Sequence, residues 1–126
     1  MFPLPPAHPP RTPGWVAVPV FRDRVSPVLD TCHRMALIDP GTRDHREPRT
    51  VSCEGVSLAE RVRELQRLGV GTVICGALSE ALANLLEAGK IRLISGVSGE
   101  VREVLEAYLN GRLNDERFRM PGFKEA

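Results

Sequence analysis

Four residues near the ends of predicted strands have side chains that could ligate a soft metal: Cys32, His33, Cys53 and Cys75. Thiolates suit iron-sulfur clusters and zinc, and an imidazole adds a borderline nitrogen donor. The odd number of cysteines and the lack of a Cys-x-x-Cys spacing argue against a disulfide framework and against a zinc ribbon. The alternative is that a thiol is simply buried as a small apolar group, and Cys75, inside the apolar run "TVICG", fits that alternative best. We therefore take Cys32 as the primary candidate ligand and His33 or Cys75 as secondary ones. Whether Cys53 takes part is left open.

The elements that must position these residues follow from hydrophobic periodicity. The first half predicts three strands in an antiparallel meander, over residues 15–20, 34–39 and 49–53. The second half changes to helix, strand, helix, strand, helix, over residues 57–69, 71–76, 78–89, 91–96 and 98–113. Ser57 and Glu60 have the spacing of a capping box, which supports the first helix start.

This order predicts an α/β fold, β-β-β-α-β-α-β-α, with a five-stranded mixed sheet and helices packed on it. Right-handed crossover connections would make all of the strands except the second run in the same direction. We expect a single domain over residues 15–113. A proline-rich, flexible tail over 1–14 and an irregular segment over 114–126 would flank it.

The predicted topology places several chemically interesting residues at one edge of the sheet. Cys32 begins the second strand, whereas Cys53 and Cys75 end the third and fourth strands. The loop "SGVSG" follows the fifth strand. Ligands of open α/β sheets bind outside the carboxyl ends of the strands, so we expect all three thiols at a common binding edge. His8, in the tail, and His45, at a hairpin tip, fall elsewhere.

The "SGVSG" loop offers candidate binding residues for an anion: Ser95, Gly96, Ser98 and Gly99. Glycines allow backbone amides to approach a ligand, and the helix that follows has a partly positive N-terminus. The alternative is an ordinary strand-to-helix turn in which Ser98 caps the helix. The loop lacks the glycine spacing of a dinucleotide site and the lysine of a phosphate-binding loop, so nucleotide binding has little support.

Composition limits the classes of partner. The formal net charge is +1, with 42% hydrophobic and 26% charged residues. Such a balance provides no electrostatic surface for nucleic acid or for an anionic membrane. Neither a signal peptide nor a membrane-spanning run is apparent, which favours a soluble, cytoplasmic protein.

Three blocks together resemble a known family. The segments "VAVPVFRDRVSPVLDTCHRMALID", "LAERVRELQRLGVGTVICGALSEALANLLEAGKIRLISGVSGEVREVLEAYLNGRL" and "FRMPGF" are similar to the dinitrogenase iron-molybdenum cofactor biosynthesis family, of the NifX/NifY/NifB C-terminal type. The resemblance covers most of residues 15–122. It implies a ribonuclease H-like three-layer fold, with helices on both faces of the sheet. It also implies a protein that binds or carries an iron-sulfur or iron-molybdenum type cluster without catalytic turnover.

The resemblance assigns residues as well. A small residue, a proline and an aspartate of the family pattern correspond to Ser26, Pro27 and Asp30, which adds Ser26 and Asp30 to the candidate cofactor-binding residues. Many relatives have a cysteine after the terminal "MPG", but this chain has Phe123. A cluster would therefore depend on Cys32, Cys75 or Cys53.

Two function hypotheses follow, from different classes. The first is a carrier of a metal-sulfur cluster, whose partners would be a protein that donates or accepts the cluster and a second copy of the chain. The second is a regulatory or interaction module that binds no metal and uses the same edge for a small anion or a partner protein. An enzyme ranks third, because no nucleophile, base and orienting residue occupy convincing positions.

Overall fold

The computed structural model describes residues 14–41 and 48–120. Except for Gly14, the predicted proline-rich tail lies outside the described residues, as do His45 and the last six residues. The strands are β1 (Trp15–Phe21), β2 (Arg24–Val25), β3 (Arg34–Ile38), β4 (Arg49–Ser52), β5 (Val70–Ile74) and β6 (Arg92–Ile94). The α-helices are α1 (Leu58–Arg67), α2 (Glu80–Ala88) and α3 (Val101–Leu109), and short 3-10 helices span Leu29–Thr31 and Glu116–Phe118.

The strands form a mixed sheet in the order β4-β3-β1-β5-β6. β3 pairs antiparallel with β1 and β4, whereas β1 pairs parallel with β5 and β5 with β6. The predicted directions are therefore confirmed: only β3 opposes the other four strands of this path. The described sheet has six strands and not the predicted five, because the two-residue β2 turns back onto the end of β1. A two-residue strand is too short to leave a periodic pattern in the sequence.

Apolar side chains pack on both faces of the sheet. Because successive side chains of a strand point to opposite faces, β1 contributes to two cores. Ala17 belongs to the cluster that includes Val62 and Leu65 of α1 and Leu82 and Leu86 of α2. Val16 and Val18 belong to the opposite cluster, with Val101 and Val104 of α3. The layers are thus α1 and α2, then the sheet, then α3.

The helix ends agree with the prediction at α1 and differ at α3. The capping box is confirmed, since the amide of Glu60 donates to Ser57 Oγ at 3.2 Å and that hydroxyl donates to Glu60 Oε1 at 2.9 Å. Ser98 does not cap α3, whose N-cap is Glu100. The Ser98 hydroxyl instead donates to the carbonyl of Arg119 at 3.2 Å.

The segment after α3 is ordered in its described part. The 3-10 helix Glu116–Phe118 places Phe118, which is 5% exposed, in the core on the α3 face. This 3-10 helix lies within the segment predicted to be irregular, and residues 121–126 lie outside the described residues. Across the described ranges, no helix is long and apolar enough to cross a membrane.

Candidate functional site: a buried thiol pair beside an arginine

All three cysteines lie where the strands predict them, at the carboxyl edge of the sheet. Cys32 precedes β3, Cys53 follows β4 and Cys75 follows β5, and all three belong to the core on the α1 and α2 face. The amide of Cys53 donates to the carbonyl of His33 at 2.9 Å, which extends the pairing of β3 with β4 by one residue. This extension brings two of the thiols together: the Sγ atoms of Cys32 and Cys53 are 3.4 Å apart.

An arginine of α1 donates hydrogen bonds to one residue of the thiol pair. Arg61 is only 5% exposed, and its Nη1 donates to Cys32 Sγ at 3.3 Å and to the carbonyl oxygen of Cys32 at 3.1 Å. Within the described part of the chain, Arg61 Nε has no hydrogen-bond partner. A buried guanidinium is stable only beside compensating negative charge and hydrogen-bond acceptors. The acceptors of Arg61 here are Cys32 Sγ and the carbonyl oxygen of Cys32, and a thiolate in the Cys32 and Cys53 pair would add the negative charge.

The two thiols of this pair have very different proton affinities. The hydrogen bond with Cys32 lowers the pKa of Cys53 to about 6, with the positive charge of Arg61 acting in the same direction and burial opposing them. The same hydrogen bond, followed by burial, raises the pKa of Cys32. While it is protonated, Cys53 Sγ donates to the carbonyl oxygen of Cys32 at 3.2 Å. Of the two thiols, Cys53 loses its proton more readily, and the positive charge of Arg61 favours the charged form.

The pair borders an opening in the surface. A groove of about 430 Å³ runs beside α1 and β4, and its lining includes Cys53, Arg61, Val51 and Val56. Cys53 is 8% exposed and Cys32 is 4% exposed. A molecule entering the groove would reach Cys53 before Cys32.

The two secondary ligands predicted from the sequence do not join this pair. Cys75 is fully buried, and burial, together with the nearby Asp30, raises its pKa to about 12. His33 is exposed, on the other side of the backbone from buried Cys32. Among the described residues, no three or more His, Cys, Asp or Glu side chains form a group that could hold a metal ion. The structure thus brings Cys32 to Cys53, and the ligand set Cys32, His33 and Cys75 stays a prediction.

Hydrogen bonds of the Asp30 side chain and of the neighbouring backbone hold the loop before Cys32 against the start of α2. Asp30 Oδ1 accepts a hydrogen bond from the amide of Ser79, the N-cap of α2, at 2.8 Å. A negative charge there also interacts favourably with the positive end of the helix. The amide of Ala77 donates to the carbonyl of Pro27 at 2.8 Å, and the carbonyl of Ala77 accepts from the amide of Leu29 at 2.9 Å.

Ser26 and Gly76 allow this loop to pack closely. Ser26 is 7% exposed, and its amide donates to the carbonyl of Pro19 at 2.8 Å. A Cβ atom at Gly76 would lie 2.7 Å from the carbonyl oxygen of Pro27, so a larger residue would push the loop away. The backbone of Ser26 and the carboxylate of Asp30 therefore position the segment that carries Cys32.

The backbone amides of the "SGVSG" loop already have partners in the fold. The amides of Gly96, Val97 and Ser98 donate to the carbonyls of Gly76, Cys75 and Phe118, at 2.9, 3.0 and 2.7 Å. Gly99 adopts a left-handed backbone with φ +131°, and its carbonyl accepts from the amide of Val25. The predicted anion cradle of Ser95, Gly96, Ser98 and Gly99 would have to exchange some of these bonds, and it stays a prediction.

The family described as dinitrogenase iron-molybdenum cofactor matches residues 15–111, which include both thiols and Arg61. The chain belongs to this family. A comparison of this chain with curated proteins found no match.

Solved structures share the fold of this family member. The crystal structure of PH0822 has a TM-score of 0.73 at 18% identity, covering 81% of this chain and 94% of that one. The NMR structure of a candidate NifB protein from Thermotoga has a TM-score of 0.64 at 21% identity, covering 89% and 97%. The apo orange protein from Desulfovibrio gigas has a TM-score of 0.66 at 17% identity, covering 90% and 97%. Identities this low establish the similarity of fold alone.

The sequence did not single out Arg61 as a site residue, and it left open whether Cys53 takes part in the site. A signal for Arg61 was present, since it falls on the apolar stripe of α1 between Leu58 and Leu65, beside Val62. A charge on the buried face of an amphipathic helix indicates a partner inside. The pairing of Cys53 with Cys32 depends on the register of β3 against β4, which the sequence does not specify residue by residue.

Proposed function

We propose that this protein binds and carries a metal-sulfur cluster, of the iron-sulfur or iron-molybdenum type, as an accessory to cofactor biosynthesis. The role is binding and transfer without catalytic turnover. Membership of the iron-molybdenum cofactor family supports the ligand class. The observation that carries the proposal for this chain is the thiol pair of Cys32 and Cys53 beside the buried guanidinium of Arg61.

The donor set of the pair fits such a cargo. Thiolate sulfur is the usual protein ligand of iron-sulfur clusters, and clusters with thiolate ligands are commonly anionic. Arg61 places a positive charge in contact with Cys32 Sγ, and its Nε has no partner among the described residues. A bound anionic cluster would offer that N–H an acceptor and would compensate the buried charge.

The number of ligands suggests how the cluster is held. Iron-sulfur clusters usually take four thiolates, and the Cys32 and Cys53 pair supplies two. A second copy of the chain would complete the set, so we propose a cluster shared by a homodimer. A protein that donates or accepts the cluster is the other expected partner. Under this proposal the protein is cytoplasmic, and the carboxyl edge of its sheet faces solvent.

The residues predicted from the sequence have supporting roles in this proposal. Cys32 remains the primary ligand, and Cys53 takes the place of its nearest partner, with His33 and Cys75 as further donors to be tested. Ser26 and Asp30 hold the loop that presents Cys32. The segment Ser95, Gly96, Ser98 and Gly99 would face the anionic cargo from the same edge of the sheet.

Anaerobic reconstitution tests the proposal. The metal-free full chain is incubated with iron and sulfide, with and without molybdate, and desalted; metal, sulfide and visible absorption are then measured. We expect the wild type to retain a cluster, and Cys32→Ser and Cys53→Ser to lose most of it. Cys75→Ser tests the third thiol, and we expect this variant to retain the cluster because Cys75 lies outside the pair. A wild-type protein that retains no iron, sulfide or molybdenum would overturn the proposal.

The same experiment separates the ligand sets. If Cys75→Ser or His33→Ala loses the cluster while Cys53→Ser keeps it, the set predicted from the sequence is correct and the Cys53 assignment is wrong. Light scattering on the loaded protein checks the shared arrangement, because a cluster between two chains doubles the mass and removal of the metal should halve it again.

The second hypothesis, a module that binds a partner protein, is favoured by one observation. Phe21 is 62% exposed and Val28 is 38% exposed, and both lie at the carboxyl edge near the ends of β1 and β5. A contiguous apolar patch at this edge would be a protein contact site, and these two side chains are the candidates for it. A cluster donor or acceptor could use them, so this surface is compatible with either function.

A further inference from the structure

We propose that Cys32 and Cys53 form a reversible disulfide by thiol-disulfide exchange in the groove between α1 and β4. This inference is independent of the proposed function, because it concerns the metal-free chain. It assigns a modification site with one attacking thiol, Cys53, and one resolving thiol, Cys32.

The geometry favours a bond between these two sulfurs. Their Sγ atoms already lie 3.4 Å apart, against about 2.05 Å in a disulfide, so the side chains point toward each other. Cys32 lies outside the regular strand, between the 3-10 helix Leu29–Thr31 and β3. Cys53 lies just beyond the end of β4. Both residues can therefore move the remaining distance while the paired residues Arg34–Leu37 and Arg49–Ser52 stay in register, with the Cys53 to His33 hydrogen bond as the one ladder contact next to the movement.

The order of the two thiols follows from their accessibility. Cys53 lines the groove of about 430 Å³, and Cys32 is half as exposed and lies behind it against Arg61. A small disulfide entering the groove therefore meets Cys53 first. The resulting mixed disulfide then has Cys32 Sγ within contact distance as its nearest internal nucleophile.

The exchange balances with a low-molecular-weight disulfide such as oxidised glutathione. The Cys53 sulfur attacks one sulfur of oxidised glutathione, which forms a mixed disulfide and releases one glutathione thiol. The Cys32 sulfur then attacks the Cys53 sulfur, which forms the Cys32 and Cys53 bond and releases the second glutathione. The protein pair loses two electrons, and its two protons end on the two glutathione thiols.

Arg61 makes this oxidation easy to reverse. Its Nη1 donates to Cys32 Sγ at 3.3 Å in the reduced protein, and closing the two sulfurs from 3.4 Å to about 2.05 Å moves that acceptor toward Cys53. Oxidation therefore weakens a hydrogen bond of a buried guanidinium, and reduction restores it. Cys75, with no exposed surface, lies outside the exchange and is an internal control.

Mass spectrometry of the metal-free full chain in glutathione redox buffers tests the inference. After acid quenching, free thiols are blocked with N-ethylmaleimide in denaturant. As the share of oxidised glutathione increases, we expect blocked thiols to fall from all three cysteines to Cys75 alone, and a peptide linking Cys32 to Cys53 to appear. Dithiothreitol should restore all three.

Two variants test which thiols form the disulfide. Cys32→Ser should stop at a glutathione adduct on Cys53, whereas Cys75→Ser should form the same internal disulfide as the wild type. The inference is overturned if all three thiols stay free at every ratio, if the wild type stops at the adduct, or if the linked peptide contains Cys75. Because the readout is covalent and needs no metal, failure of cluster reconstitution would leave it unaffected.

Discussion

Arg61 donates hydrogen bonds from one nitrogen to both the carbonyl oxygen and the Sγ of Cys32, at 3.1 and 3.3 Å, across 29 positions of sequence. This contact joins the buried face of α1 to the loop that precedes β3. It sets a positive charge beside two thiols whose sulfurs touch. The chemistry of the site therefore depends on a helix residue as much as on the cysteines themselves.

Replacing Arg61 should raise the pKa of Cys53. In the wild type the pKa of this thiol is lowered to about 6, and the positive charge of Arg61 contributes to the lowering. We expect Arg61→Met to raise it by about one unit or more, since an adjacent opposite charge typically shifts a pKa by that amount. The measurement is the rate of iodoacetamide alkylation of Cys53 against pH, read by peptide mapping of the metal-free, reduced protein.

The matched control for this variant is Arg67→Met. Arg67 is on the same helix, but it is exposed and pairs with Glu64 at 2.6 Å. Its removal should leave the alkylation profile of Cys53 unchanged. Equal profiles for Arg61→Met and the wild type would show that the guanidinium does not stabilise the thiolate.

Removing the carboxylate of Asp30 should destabilise the fold. Its Oδ1 accepts the hydrogen bond from the amide of Ser79 at the start of α2. We expect Asp30→Ala to lower the free energy of unfolding by about 1–2 kcal/mol, because that amide loses its acceptor and the helix loses a favourable charge. Asp30→Asn keeps an oxygen acceptor and should cost less. Urea denaturation of the reduced protein measures both.

The stability and the cluster loading of these two variants together decide the role of Asp30. If Asp30→Ala and Asp30→Asn were both as stable as the wild type but failed to load a cluster, Asp30 would contact the cargo and would not serve as an anchor. The opposite pattern, lower stability with loading retained, is the expected one.

Stability should fall at alkaline pH because of Cys75. Burial and the nearby Asp30 raise its pKa from 9.0 to about 12. In the unfolded chain the thiol ionises near pH 9, whereas in the folded protein it keeps its proton up to about pH 12. Between those values the folded state binds more protons, so the free energy of unfolding decreases as pH rises, by up to about 1.4 kcal/mol per pH unit for one group.

Urea denaturation at several pH values, under reductant, checks this effect. Cys75→Ala should show a shallower decrease above pH 9 than the wild type. Cys32, whose pKa is also raised, acts in the same direction. Cys53 acts in the other direction and at lower pH, since its lowered pKa makes stability increase between about pH 6 and 9. An identical slope for Cys75→Ala and the wild type would contradict the assignment.

Much of the architecture was predictable because local patterns carry it. The apolar run from Trp15 to Val20 indicated a strand buried on both faces, and β1 supplies both cores. The capping box of Ser57 and Glu60 marked the start of α1. Handed crossovers then predicted the strand directions, and these placed all three cysteines at one edge of the sheet. Such signals depend on neighbouring residues and on general rules of chain connection, so a single sequence contains them.

The pairing of side chains at that edge was decided only by the tertiary structure. The sequence indicated Cys32 with His33 or Cys75, whereas the register of β3 against β4 brings Cys32 to Cys53. Arg61 reaches the pair because α1 packs its buried face over the ends of these strands. Contacts of this kind join residues 21 and 29 positions apart and depend on shifts of a single residue in register. Residue types therefore indicated soft-metal chemistry, and packing selected which thiols share a charge.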